Sequence, residues 1–331
     1  MTPADLSLTV LRAVRRAVDD GALRVDVPPR AKVERARPGG AGEYASSIAL
    51  ALARPAGRSA LDVAGILEER LRDVPELRSV EITGPGFLNF TLRGDADADL
   101  VRGILAAGTS YGHGAALAGT TVRLAGGDGP RAVVVAETLA RLLRSQGAHV
   151  ETGADDGERI RVRPGGPGDP DGYGEYGEYG EYGEDVTRWA FLRAAPHDRA
   201  LDPAPLLVPH ERNPLFRVRY AHSRARRLLV NARQLGFSPE PGDCDGAGLP
   251  GLLRDHPPVL LSAARHRAPD RVARHLEAVA DALLAFQHAV LPLGDEKPSA
   301  AHRSRLALAE AAGTVLAGGL SALGISAPDR I

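Results

Sequence analysis

The densest group of residues able to do chemistry is a set of six arginines in the C-terminal third of the chain. They are Arg217, Arg219, Arg224, Arg226, Arg227 and Arg233. On an α-helix, Arg219, Arg226 and Arg233 would share one face because they recur every seven residues, and Tyr220 and Arg227 have the same spacing nearby. Guanidinium groups pair bidentately with phosphates, and a tyrosine ring can stack on an unpaired base. This pattern suits contact with an RNA loop, although composition alone favours an ordinary solvated helix face.

Signals for catalysis, metals or cofactors are weak. Cys244 is the only cysteine, which excludes a disulfide framework and a cysteine-based zinc site. The serine, histidine and acidic residues show neither a nucleophile-elbow pattern nor metal-ligand spacing. The glycine-rich turn Gly126–Arg131 could offer backbone N–H groups to a phosphate, but Pro130 removes one donor and Asp128 is unfavourable. We therefore expect no catalytic residue, no cofactor and no metal.

Bulk composition narrows the class of protein further. The chain has 331 residues, a formal net charge of −1 and only two lysines, Lys32 and Lys297. The near-neutral charge gives no global sign of a nucleic-acid protein. The N-terminal sequence lacks the basic start and apolar core of a signal peptide, and no apolar run suits a membrane helix. We expect a cytoplasmic protein of two or three domains with no membrane partner.

Residues 1–92 have the pattern of a small α+β domain. A helix-start signal at Thr2–Asp5 precedes apolar residues at helical spacing from Leu6 to Val18, which predicts a first helix. Further helices are predicted over Tyr44–Leu52 and Ala60–Leu71. In the last of these, Leu61, Ile66 and Leu71 are expected to face inward. Alternating residues predict strands over 80–82 and 87–92, on either side of a Gly-Pro-Gly turn.

Residues 93–165 contain one predicted β-α-β unit. A strand at Thr121–Leu124, a helix at about 131–145 and a strand at 149–151 form this unit, and 159–163 could add a strand. Residues 166–184 then form a low-complexity linker, because the repeated Tyr-Gly-Glu motif within 171–185 matches neither helix nor strand periodicity. A tyrosine platform for RNA is disfavoured there because the glutamates would repel phosphates, and an acidic decoy covering a basic surface is a less favoured alternative to a spacer.

Residues 185–331 are predicted to be entirely helical. Leu, Ala and Val positions suit a bundle made from helices at 188–193, 216–234, 250–266, 269–291 and 300–323. The fold class is therefore multidomain α+β. It combines a small N-terminal α+β domain, a reduced β-α-β remnant and a C-terminal all-α helical bundle.

Motifs at both ends of the chain resemble arginyl-tRNA synthetase. NPLFRVRYAHSR, from Asn213 to Arg224, is similar to the family's NPVxYVQYAHAR, and the ending LGISAPDRI resembles LGI-x-APxR. Upstream, TRWAFLR resembles the segment that opens the family's DALR-type anticodon-binding domain. In the N-terminal part, GEYAS and GPGFLNF are similar to the family's GDYA and GxGFINF.

The resemblance implies two sets of tRNA-contacting residues. Near the anticodon it implies Asn213, Arg219, Tyr220, Arg224, Arg227 and Ile331. At the tRNA elbow it implies Asn89, with Phe87 and Phe90 as weaker candidates. Packing in the core is the favoured interpretation for the two phenylalanines, and for Asn89 a turn cap is equally acceptable. Gln287 replaces an aromatic residue of the family and Ile331 replaces its terminal Met, and these two departures argue against base-specific reading.

The family's catalytic motifs have no counterpart here. No HIGH-like sequence follows Leu124, and no lysine lies between Lys32 and Lys297 to serve a KMSK loop. The first hypothesis is a non-catalytic tRNA-binding pseudoenzyme with an accessory role in translation, with arginine tRNA as the suggested ligand. The alternative is a protein-interaction or regulatory subunit of a full-length synthetase or tRNA-dependent biosynthetic enzyme. Residual arginine-tRNA ligase activity is the least favoured.

Overall fold

A computed structural model describes most of the chain, as two compact units, Met1–Leu100 and Val101–Ile331. The described residues are 3–36, 41–92, 95–125, 129–154, 156–163, 182–242, 244, 246 and 248–331. The glycines at 126 and 127 and nearly all of the predicted low-complexity linker lie outside them. The first unit combines helices with a sheet, and the second is mainly helical. The chain is therefore an α+β protein, as predicted.

The first unit is an antiparallel sheet covered by helices. Its elements are α1 (Pro3–Asp19), β1 (Val33–Arg35), β2 (Tyr44–Ser46), α2 (Ile48–Ala56), α3 (Ala60–Leu71), β3 (Leu77–Thr83) and β4 (Phe87–Leu92). The strand order is β1-β2-β4-β3, with all pairs antiparallel. Helix α1 buries Leu6, Val10 and Val14 at helical spacing against this core.

Two details of the predicted N-terminal domain are wrong. The segment 44–46 is a strand, and the helix begins only at Ile48, because Tyr44 is buried in the sheet opposite Phe90 of β4. In α3, Leu61 is 53% exposed, whereas Val63 and Leu67 face the core. The Ser59 side chain caps this helix by accepting a hydrogen bond from the Asp62 amide, and Leu71 is buried as predicted.

The second unit begins with part of α4 (Asp95–Ala107), which the sequence did not predict, and continues into a β-α-β unit. Strands β5 (Thr121–Leu124) and β6 (His149–Thr152) pair in parallel, and α5 (Pro130–Ser145) connects them, as predicted. The predicted strand at 159–163 is wrong, since pairing stops at an isolated bridge between Leu124 and Glu158.

The remainder of this unit is the predicted helical bundle. It contains α6 (Glu184–Arg193), α7 (Pro214–Gln234), α8 (Leu249–His266), α9 (Asp270–Phe286) and α10 (Ala300–Leu323). Helix α10 is the one described helix long and apolar enough to cross a membrane. Most of its side chains are buried, however, among the surrounding helices of the bundle.

Candidate nucleic-acid interface

Asn213 determines where α7 begins. Its side-chain oxygen accepts a hydrogen bond from the Phe216 amide at 3.1 Å, which makes it the N-cap. Its amide nitrogen donates to the carbonyls of Leu206 and Val208 at 2.7 and 2.9 Å. Asn213 is buried and its side chain is used within the protein, so its position favours holding α7 in place over direct contact with RNA.

The carboxyl-terminal tail, residues 325–331, runs beside α7. Asp329 forms an ion pair with Arg226 at 3.0 Å and lies 3.6 Å from the His222 ring nitrogen Nε2. The Ser223 hydroxyl donates to the backbone carbonyl of Asp329 at 3.0 Å. Ser326 donates its amide and its hydroxyl to Asp185, at the start of α6. These contacts fix the end of the chain against the arginine-rich helix.

Between α7 and the tail is an open cleft of about 410 Å³, here called the α7 cleft. Five arginines line it, and Asp329 is the one acidic side chain among the lining residues. The lining residues are Tyr220, Ser223, Arg224, Arg226, Arg227, Val230, Arg233, Asp329, Arg330 and Ile331. Arg227 and Arg330 are exposed and form no ion pair within the described part of the chain. The cleft therefore has an excess of positive charge facing solvent.

Tyr220 is an exposed aromatic group at the edge of this cleft. Its ring is 40% exposed and stacks on the Phe216 ring, with centroids 5.6 Å apart and planes 15° from parallel. The stack holds the tyrosine in one orientation while part of the ring remains open to solvent. Such a ring can stack on an unpaired base, which contributes about 1–3 kcal/mol per base in single-strand binding.

Arg224 has a partner that sequence reasoning did not connect with it. Its Nε donates to the Gln287 side-chain oxygen at 2.5 Å. Gln287 therefore orients a guanidinium that lines the cleft.

Arg219 points away from the α7 cleft, into a neighbouring pocket. That pocket measures about 350 Å³ and is mainly apolar, with Leu207, Val208 and Phe216 in its lining. Arg219 lies 3.5 Å from Asp185 and donates to Ser326 at 3.1 Å. Ile331 is 60% exposed and borders both cavities. The heptad spacing thus brings Arg226 and Arg233 together but not Arg219.

Glu310 of α10 lies near the cleft and was not identified from the sequence. Burial raises its pKa above the ordinary value, while the positive charges of Arg226 and Arg233 act in the opposite direction. A half-buried carboxylate beside two arginines reduces the positive field that reaches the cleft. The sequence offered no signal for Glu310, whereas Asp329 and Arg330 lie in the C-terminal motif LGISAPDRI, although neither was predicted as a site residue.

The predicted elbow residues lie on the first unit and differ in exposure. Asn89 is buried in β4, where its amide nitrogen donates to the Thr83 hydroxyl at 2.7 Å and to the Glu81 carbonyl at 3.3 Å. Phe90 is fully buried, as the core interpretation expects. Phe87 is 38% exposed at the start of β4, so it is available for contact.

Among the residues the structure describes, no group of three or more histidines, cysteines or carboxylates could hold a metal ion. The chemistry available at the α7 cleft is therefore that of guanidinium groups, one aromatic ring and a few carboxylates.

Two family models match this chain, one at each end. Residues 8–92 match the arginyl-tRNA synthetase N-terminal domain, and residues 218–331 match the DALR anticodon-binding domain. Both ends of the chain are therefore similar to domains of arginyl-tRNA synthetase. The α7 cleft, with Tyr220, Arg224, Arg227 and Ile331, lies inside the matched DALR domain, and β4 lies inside the matched N-terminal domain.

Individual relatives agree with this assignment. The arginine–tRNA ligase of Frankia alni is 45% identical over 160 residues, covering 45% of this chain and 29% of the relative. That of Micrococcus luteus is 40% identical over 165 residues, covering 45% and 30%. The match spans less than a third of the length of these curated proteins.

Solved structures extend the likeness to the fold. The structure resembles Thermus thermophilus arginyl-tRNA synthetase with a TM-score of 0.68 and 14% identity, covering 100% of both chains. It resembles the Plasmodium falciparum enzyme with a TM-score of 0.70 and 8% identity, covering 99% of both. At these identities the likeness concerns the fold alone.

Proposed function

We propose that this chain is a tRNA-binding protein that does not aminoacylate its ligand. The α7 cleft would contact the anticodon stem-loop, and the N-terminal domain would contact the tRNA elbow. The observation that carries the proposal is the α7 cleft itself, in which five arginines and a half-exposed, stacked tyrosine lie within a DALR anticodon-binding domain.

The charges in the cleft suit a phosphate backbone. Arg227 and Arg330 are free to pair with phosphates, and Arg226 would exchange Asp329 for a phosphate oxygen. That exchange is inexpensive, because the Arg226–Asp329 pair is half exposed and surface pairs contribute only about 0–1 kcal/mol. Affinity would therefore be mainly electrostatic and would fall steeply with salt.

Contact with the elbow would use β4 and its preceding turn. Phe87 offers an exposed ring, while Asn89 is held by Thr83 and Glu81 and would act mainly by fixing the turn. Gly86 adopts a φ of +127°, and a Cβ there would lie 2.8 Å from the Ala60 carbonyl oxygen, so the turn depends on glycine. This local rigidity supports a fixed recognition surface.

The non-catalytic part of the proposal rests on what separates the two matched domains. In the region between them, the only sheet among the described residues is the two-stranded sheet of the β-α-β unit. Lysine is absent from residues 33–296 of the sequence, so no KMSK-type lysine is available there. An accessory role in the cytoplasm follows, such as delivering, sequestering or sensing a tRNA, with arginine tRNA the first candidate.

A second candidate function is a protein-interaction module from which RNA binding has been lost. This function is favoured because three arginines of α7 already have partners within the protein. Arg226 pairs with Asp329, Arg219 pairs with Asp185, and Arg224 donates a hydrogen bond to Gln287. In this case the same surface would bind an acidic segment of a synthetase or of a tRNA-dependent biosynthetic enzyme.

The first experiment is capture of total tRNA by the purified chain at low and moderate salt, followed by sequencing of the bound RNA. We expect enrichment of one tRNA family, abolished by Tyr220→Ala combined with Arg227→Gln. Arg265→Gln is the matched control, because Arg265 is exposed on α8 and lines neither cavity described above. No enrichment, or equal loss in the control, would favour the protein-interaction function.

The catalytic claim needs a separate assay. Incubation with arginine, ATP and the enriched tRNA should yield no arginyl-tRNA above a protein-free background. Formation of arginyl-tRNA at a rate that scales with the concentration of the chain would contradict the proposal.

A further inference from the structure

A second basic cavity lies in the Val101–Ile331 unit, and its lining includes none of the α7-cleft residues. It is an open cleft of about 660 Å³, here called the α8–α9 cleft. Three segments form its walls: residues 158–163 after the β-α-β unit, residues 195–197 after α6, and residues 266–271 between α8 and α9. The first two walls lie outside both regions that match the synthetase domains.

Arg131, at the start of α5, fixes the first wall to the second. Its guanidinium is buried and donates to the Arg163 carbonyl at 2.9 Å. It also donates to the carbonyls of Asp198 at 2.7 Å and Ala195 at 3.0 Å. The Arg163 amide in turn donates to the Pro196 carbonyl at 2.7 Å. One buried charge thus holds two irregular segments in register.

Arg267 fixes the first wall to the third. It ends α8 with a φ of +53°, the one positive φ of a non-glycine residue among those the structure describes. Its guanidinium pairs with both carboxylate oxygens of Glu158, at 3.1 and 2.8 Å. Such a backbone conformation costs about 1–2 kcal/mol for a residue with a side chain, and the bidentate pair helps to offset it.

The charge of this cleft is strongly positive. Five arginines and two histidines line it, against the carboxylates of Glu158 and Asp270. Glu158 is paired with Arg267, and Asp270 lies largely buried 3.5 Å from Arg274. The two carboxylates are therefore compensated, and the remaining field comes from the cations.

Arg161 and Arg163 are the cations available for a ligand. Both are exposed, and neither side chain makes a hydrogen bond or ion pair within the described part of the chain. Burial alternates along 159–163, so that the arginines face outward while Ile160 and Val162 are partly covered. Arg161 and Arg163 therefore present two unpaired cations, two residues apart, on the same wall of the cleft.

We propose that the α8–α9 cleft binds the phosphodiester backbone of RNA, as a third contact in addition to the two matched domains. Arg161 and Arg163 would pair with phosphates, while Arg131 and Arg267 act as positioning residues. The proposed contact is to phosphates, which position a nucleic acid without reading its sequence. The identity of the RNA as tRNA rests on the proposed function.

The test is a salt titration of tRNA binding by the full chain, read by fluorescence anisotropy. The variant Arg161→Gln with Arg163→Gln should lower the magnitude of the slope of log K against log salt by about 1.4, since each single-strand phosphate contact contributes about 0.7. At about 0.1 M salt the same two contacts correspond to a loss of affinity of roughly 25-fold. Arg265→Gln, on α8 but outside the cleft lining, should leave the slope unchanged.

Three possible results distinguish failure of this inference from failure of the proposed function. An unchanged slope in the double variant, with Tyr220→Ala plus Arg227→Gln still losing binding, overturns this inference and leaves the proposed function intact. Failure of the wild type to bind tRNA refutes both. The third result concerns protection of Arg161 and Arg163 from a guanidinium-modifying reagent. Protection by ATP or inorganic polyphosphate, but not by tRNA, would assign the cleft to a small phosphate ligand and refute RNA binding there.

Discussion

Replacement of Asp329 by asparagine should strengthen RNA binding. The Asp329 carboxylate lies 3.0 Å from the Arg226 guanidinium and is the one acidic side chain that lines the α7 cleft. Asparagine keeps the size of the side chain but removes the charge, so Arg226 becomes available to a phosphate. The cost to stability should be small, because both partners are at least half exposed and such pairs contribute about 0–1 kcal/mol.

The size of the gain follows from counterion release. One additional phosphate contact on a single-stranded loop steepens the slope of log K against log salt by about 0.7. At about 0.1 M salt this corresponds to roughly fivefold tighter binding. The assay is fluorescence anisotropy with a labelled anticodon stem-loop at several salt concentrations, accompanied by chemical denaturation to confirm that the fold is retained.

The matched control is Asp281→Asn. Asp281 pairs with Arg217 at 3.1 Å and has similar exposure, but neither residue lines the α7 cleft. Asp281→Asn should change neither affinity nor slope. Equal or weaker binding by a folded Asp329→Asn variant, or an equal gain in the control, would refute the assignment of phosphate binding to this cleft.

Three further predictions concern stability. Burial raises the pKa of Glu310, so Glu310→Gln should stabilise the fold at pH 7. Denaturation at a series of pH values should show this gain disappear below about pH 4.3, where the carboxyl group is protonated in both the folded and the unfolded state. Burial, with the nearby His275 and His113, lowers the pKa of His256 well below 6.5. The free energy of unfolding should therefore fall by up to about 1.4 kcal/mol per pH unit below about pH 6.5, and His256→Phe should reduce that dependence. Asn213→Ala should cost about 2–3 kcal/mol in denaturant unfolding, because it removes an N-cap and leaves two carbonyls without their donor; an unchanged stability would contradict the positioning role.

Helices with clear periodicity and caps could be predicted from the sequence almost to the residue. Helix α10 at Ala300–Leu323 begins at the Ser299 cap and ends before Gly324, and both signals are visible in the sequence. The strand at Tyr44–Ser46 was predicted as helix because its three residues are too few to show alternation, and its pairing partner Phe90 is distant in the chain. Long-range pairing of this kind has no local signature.

The sequence predicted which arginines belong to the candidate site, but it did not predict which residues pair with them. Spacing on one helix identified Arg226 and Arg233, and the resemblance identified Tyr220. The residues that neutralise or orient the arginines come from elsewhere: Asp329 from the tail and Gln287 from the end of α9. Only the folded bundle brings these side chains to α7, so the division of the arginines between two cavities could not be read from the sequence.

The central claim is that the α7 cleft binds an anticodon stem-loop while the N-terminal domain binds the elbow of the same tRNA. Nuclease footprinting of the enriched tRNA, with and without the chain, tests this most directly. We expect protection at the anticodon loop and at the elbow. Protection of the anticodon loop should be lost in Tyr220→Ala plus Arg227→Gln and retained in Arg265→Gln. Uniform weak protection along the tRNA, or protection unaffected by the α7 variant, would contradict it.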